Sequence, residues 1–223
     1  MDGSSLRSAD LVGAVLEAND EEGRLVTVRI EAVRPDPSDA EGDIWLHEFS
    51  VLDPRAGAWT PLCVQAPDGT TGGFPLSGRW TPDGRHLADS HKFTLTCTSG
   101  AVGKCVRFGY KPWRSRNEES LWGYHQACVR MMRADYGGDG TPHTRDGTKI
   151  DVFDRFGIQK PESSPDEMTF EAAWDQDGAV CVRRTRIPAL LNWQALVAVY
   201  PYLAHTPENE CSEATPAMLW NRS

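Results

Sequence analysis

The sequence predicts an α+β fold, made mostly of antiparallel β-hairpins with one central helix at about residues 118–135 packed on the sheet. Three observations predict it. Short segments of alternating apolar and polar residues, separated by turn residues, fill the first half of the chain. A single segment, NEESLWGYHQACVRMMRADY, carries a helical stripe with end signals. A further hairpin with an Asp-Gly turn follows in MTFEAAWDQDGAVCVRRTRI.

Taken in order, LVGAVLEA and LVTVRIEAV flank the polar turn NDEEGR. The Val, Val, Ile alternation of the second is the period of a half-buried strand. DIWLHEFSVLD then meets AWTPLCV across PRAG, and GGFPLSGRW meets HLADSHKFTLTC across TPDG, where Gly84 supplies positive φ. In FTLTCTSGAVGKCV, a hairpin with SGAVG as its loop sets Cys97 opposite Cys105, close enough for a disulfide. For the helix, Asn117 is the candidate N-cap, with Glu118 and Glu119 at the positive end of the dipole. Leu121, His125, Cys128 and Met132 form one stripe, and Gly137 and Gly138 stop the helix. TKIDVFDRFGI reads as extended. ALLNWQALVAVY, after the boundary at Pro188, reads as a helix or as a buried strand, and a polar loop leads to a short apolar end. The whole chain, 1–223, reads as one domain.

Hydrophobic content of 39% with eight Trp and seven Phe describes a chain able to build a core. A net charge of −9 argues against a phosphate-tracking surface, so no nucleic-acid partner is expected. No apolar run approaches the ~20 residues of a membrane span. The opening MDGSSLRSAD shows neither the basic nor the apolar region of a signal peptide, as the start of a mature exported domain also would not. The six cysteines, Cys63, Cys97, Cys105, Cys128, Cys181 and Cys211, contain no C-x-x-C pair, so no structural zinc site is expected. Their even number fits three disulfides and export; buried thiols in a reducing compartment would give the same count.

The densest chemistry lies in RADYGGDGTPHTRDGT, Arg133 to Thr148. As a calcium loop starting at Asp135 it would use Gly137, Asp139, Gly140, Thr141, His143 and Asp146. It fails where Gly137 offers no oxygen and Asp146 replaces a bidentate Glu, so no metal is assigned. As a catalytic site it would bring Asp135 and His143 together with His125 of the preceding helix, a carboxylate beside imidazoles being a recurring general-base arrangement. Thr141, Thr144 and Thr148 are the available nucleophiles, and none sits in a nucleophile elbow. As a structural loop, Asp135 caps amides, Tyr136 packs its ring, and the glycines permit positive φ. The glycine-rich Gly69 to Gly78 lacks the Lys-Ser/Thr ending of a phosphate loop, and no cofactor motif occurs.

The pattern ACVRMMRADYGGDGTPHTRDGTKIDVFD, with EFSVLD, PLC, FTLTC, KCV, GYKPW, FEAAW and CVRR around it, resembles the bacterial ADYC-domain proteins, whose signature is Ala-Asp-Tyr-Cys. The resemblance implies an exported or envelope-associated protein of one domain and adds no reaction. Where the signature has Cys, this chain has Gly137. The expectation is therefore a non-catalytic, secreted or envelope-associated domain, disulfide-stabilised, that binds an unknown protein or small-molecule ligand, with no cofactor. The rival is a hydrolase or transferase built on His125, Asp135 and His143.

Overall fold

The computed structural model describes residues 8–81 and 83–223, and in it the alternation of the first half becomes a six-stranded antiparallel sheet. β1 (Val15–Asn19) pairs with β2 (Leu25–Pro35) across a turn that Asp20 organises, its Oδ1 accepting the N–H groups of Glu22 and Arg24. β3 (Trp45–Asp53) follows, with β4 (Ala58–Pro61) on part of its edge. β5 (Gly73–Ser77) then precedes the two-residue strands β6 (Arg79–Trp80) and β7 (His86–Leu87), and β8 (Phe93–Cys97) pairs back on β5. The order is β1-β2-β3-β5-β8. Inward-facing Val28, Ile30 and Phe49 form one apolar cluster, and Ile44, Leu46, Phe74, Leu76 and Val106 form another.

These elements, His86 of β7 excepted, belong to the first of two compact units, formed by residues 8–81 and Leu87–Arg107. It ends in helix α1 (Ala101–Arg107), where the sequence predicts the second strand of a Cys97–Cys105 hairpin. That expectation is corrected: Cys97 is bonded to Cys63, and Cys105 sits on the helix. The physical reason is local. The Gly100 N–H bonds the Cys97 carbonyl and the Lys104 N–H bonds the Gly100 carbonyl, so the chain coils after Thr98. Gly103 then packs so close to the Cys97 carbonyl that a Cβ would stand 2.3 Å from it. From α1, Arg107 donates to Asp36 at 2.7 Å and to Asp68 at 2.6 Å, tying two loops together. Two N–H and hydroxyl donors, from Thr70 and Arg107, hold the Asp68 carboxyl down at about 2.

The second unit comprises residues 83–86 and Phe108–Ser223. Its first elements are the minimal hairpin β9 (Ser115–Arg116) and β10 (Glu119–Ser120). Asn117 and Glu118 form its two-residue turn with φ of 50° and 67°, as the mirror-image hairpin turns require. Helix α2 (Trp122–Arg133) therefore starts later than the expected 118, with Leu121 at its N-cap. Nor does it bury only one stripe, since every residue from Tyr124 to Met131 is buried. β11 (Asp151–Asp154), β12 (Phe170–Asp175) and β13 (Gly178–Val182) follow. Helix α3 (Trp193–Val199) is capped by the Asn192 side chain, which accepts the Ala195 N–H. The closing segment is strand β14 (Leu219–Arg222), which enters the sheet between β11 and β12, giving β11-β14-β12-β13. The β-rich antiparallel reading thus holds, while the single central helix becomes three α-helices.

Cys181 is bonded to Cys211, and Cys105 and Cys128 are disulfide-bonded as well. Among the described residues there is no free cysteine and no helix long and apolar enough to cross a membrane.

Candidate functional site

The ADYG segment is built by the way α2 ends. Ala134 turns left-handed, at φ 49° and ψ 40°, so that its N–H bonds the Met131 carbonyl and the Asp135 N–H bonds the Arg130 carbonyl. This is a Schellman closure formed three residues before the glycines that mark it in the sequence. It sends Asp135 back under the helix. There Oδ2 accepts Nη1 of Arg130 at 2.6 Å and the Gly140 N–H at 2.9 Å. Arg133 donates to the Gly140 carbonyl, and the His143 N–H returns to the Arg133 carbonyl. The loop is clamped to the last turn of its own helix.

Tyr136 serves a second network. Its ring stacks on Trp174, 5.2 Å between centroids, and on His143 at 6.0 Å. Its hydroxyl donates to Glu171 Oε1 at 3.0 Å and accepts the Arg186 N–H at 2.7 Å. Glu171 is completely buried and meets the Arg186 guanidinium through both oxygens, at 3.0 and 3.1 Å. Asn221 donates to the same carboxylate and accepts the Trp174 indole N–H. Arg186 also donates to the Met131 and Met132 carbonyls, a charge placed on the negative end of α2. Every part of this buried charge pair has a partner, the condition under which such a pair is tolerated.

The glycines set what lies outside. Gly138, at φ 69°, approaches the Asp177 carbonyl so closely that a Cβ would stand 1.8 Å from it. Gly137 keeps a φ open to any residue, yet the Tyr200 ring fills the place of its Cβ, at 2.1 Å. Tyr200 donates to Asp139 at 2.9 Å. Burial raises the Asp139 carboxyl, but the Thr141 donors and the Tyr200 hydroxyl outweigh it and hold the group below its ordinary value. Gly137, Asp175, Asp177, Gly178, Val180 and Tyr202 line an open depression of about 480 Å³.

Of the three candidate catalytic residues, His125 lies within α2, more than two turns before its end, fully buried with its ring near that of Trp122. Asp135 is also fully buried, while His143 is half-buried. The loop brings these last two together: the charge of Asp135 acts on the His143 imidazole. Asp135 Oδ1 and His143 Nε2 are buried without a hydrogen-bond partner among the described residues. Burial raises the Asp135 carboxyl, against the opposing pull of Arg130. Glu171, Arg186 and Asn221 were not singled out by sequence reasoning. The available signal was the lone acid in FEAAW, a strand otherwise apolar, which demands a buried cation.

Burial also lowers the His143 imidazole, with Asp135 and Asp139 pulling the other way. A base depressed in the fold is protonated first in the unfolded chain, so its share of stability is lost as pH falls below about 6.5. Chemical denaturation at pH 7.5 and 5.5 should show a larger loss for the wild type than for His143→Gln. An NMR titration of the ring should give a midpoint below 6.5. Equal losses in the two proteins would contradict this assignment.

The family model of the ADYC domain matches residues 8–188, more than half of the chain. No curated protein and no solved structure matches it.

Proposed function

This chain belongs to the ADYC-domain family, and on that footing we propose that it is a non-catalytic, disulfide-stabilised domain, exported or held at the cell envelope, that binds a partner or ligand. The observation that carries the reading is the state of the cysteines: all six are bonded and none is free. Disulfides persist in oxidising compartments and are rare in reducing ones. The loop supports the non-catalytic half, because Asp135 is engaged by Arg130 and Gly140, and Tyr136 by Glu171 and Arg186. The depression beside Gly137 is the surface offered to a ligand. We read the two compact units as one functional domain, since the family match runs through both.

Alkylation under denaturing conditions tests the reading. Protein purified without reductant should take up no label, and six labels after reduction. Six labels before reduction would overturn it, as would a cell fractionation that finds the native protein in the cytosol.

A second reading, a hydrolase or transferase using His125, Asp135 and His143, is favoured by the unpartnered Asp135 Oδ1 and His143 Nε2. It requires turnover of an ester or amide that His143→Gln abolishes while leaving the fold intact. Turnover unchanged in that variant would end it.

A further inference from the structure

We propose that the depression beside Gly137 is a site for an organic cation, the guanidinium or ammonium group of a basic side chain or free amine. This deepens the binding reading above and rests on it.

The lining carries two carboxylates and no basic residue. Asp175 accepts the Met218 N–H at one oxygen, and the exposed Asp177 carboxylate accepts no donor among the described residues. Acceptor capacity remains on both, and both line the depression. An ion pair within the protein would consume it, as Arg130 does for Asp135 and Arg186 for Glu171; here no such partner is supplied among the described residues.

The third element is aromatic. Tyr202 is 46% exposed, and its hydroxyl donates to the Tyr136 carbonyl at 3.3 Å, which fixes the phenol and leaves ring surface to the depression. A π face beside carboxylates attracts a cation through its quadrupole and offers apolar contact to the stem that carries the charge. Val180, also exposed, extends that apolar contact.

The frame is rigid. Gly138 is locked against the Asp177 carbonyl, the Ala179 N–H bonds the Tyr136 carbonyl, and Gly137 lies under Tyr200. The ligand therefore meets a formed site, which spares ordering cost on binding. A volume of about 480 Å³ lies within the range of small-ligand sites. An anionic ligand would meet two carboxylates with nothing to neutralise it.

The test uses the full oxidised chain, labelled with ¹⁵N. It is titrated with N-acetyl-arginine methylamide, with cadaverine, with the uncharged N-acetyl-norleucine methylamide, and with maltotriose. Both cations should shift the amides of Gly137, Gly178 and Val180, and Asp177→Ser should weaken the response about two- to fivefold, the worth of an exposed ion pair. Raising the salt should weaken it as well. Stronger binding of the arginine derivative would identify a protein side chain as the source, and stronger binding of cadaverine a free amine. Equal shifts from the norleucine compound, or an Asp177→Ser response equal to wild type, would overturn the cation assignment. Shifts from maltotriose alone would overturn it too while leaving a ligand-binding domain. If no compound moves these amides the site itself falls, and the alkylation and fractionation results stand apart from that outcome.

Discussion

Replacing Glu171 by alanine will lower the free energy of unfolding by about 3–5 kcal/mol, the cost of removing one member of a buried charge pair. The carboxylate is fully buried and accepts from four groups: the Tyr136 hydroxyl, both arms of the Arg186 guanidinium and the Asn221 amide. Its loss strands the Arg186 charge in the interior, where its side chain is almost fully buried. Glu171→Gln keeps the shape and part of the bonding but removes the charge, so it should fall between the two. A double change, Glu171→Met with Arg186→Met, removes both charges and should recover part of the loss. Denaturant unfolding with the disulfides intact reads all three. A Glu171→Ala protein within ~1 kcal/mol of wild type would show that the pair is not the buried, matched unit described.

Gly138→Ala should cost about 3 kcal/mol, from two sources that can be separated. The left-handed backbone at φ 69° costs an alanine roughly 1–2 kcal/mol. The new methyl would also stand 1.8 Å from the Asp177 carbonyl, so the β12–β13 turn must shift, an overpacking cost of about 1–3 kcal/mol. Gly147 supplies the control. It is also left-handed, at φ 82°, but a Cβ there meets nothing within 4 Å. Gly147→Ala should therefore lose only the backbone part. Thermal unfolding of the two variants side by side measures the difference, and equal losses would mean that the turn yields freely.

The sequence made visible those parts of the fold whose physics is local. The β1–β2 hairpin announced itself by period-two alternation around a turn, and Asp175 to Gly178 by its Asp-Gly signal. What escaped depended on distant residues. GAVGKCV has the residues of a hairpin, but packing of Gly103 on Cys97 makes it helix α1. Asn117 has the chemistry of an N-cap, yet its tolerance of positive φ placed it in a turn. The four residues of β14 carry no alternation long enough to read, although they fill a central position between β11 and β12. Disulfide partners were equally hidden, since strand order decides which sulfurs meet.

The loop was legible as a place and not as a mechanism. Asp135 and His143 do lie in one cluster, and the density of Asp, Gly and His marked it. The demands that fix it come from Glu171 and Arg186, 35 and 50 residues beyond Tyr136 in the chain.

The Tyr200 ring over Gly137 has a consequence for how the sequence can drift. The φ at residue 137 is open to a side chain, and the atoms nearest to where one would begin are those of the ring. Positions 137 and 200 therefore form a single heritable character. A lineage that gains a side chain at the first must already have lost the tyrosine at the second, along with its bond to Asp139. Related chains should sort into two states, glycine with a large aromatic ring or a side chain with a small residue, with few examples between them.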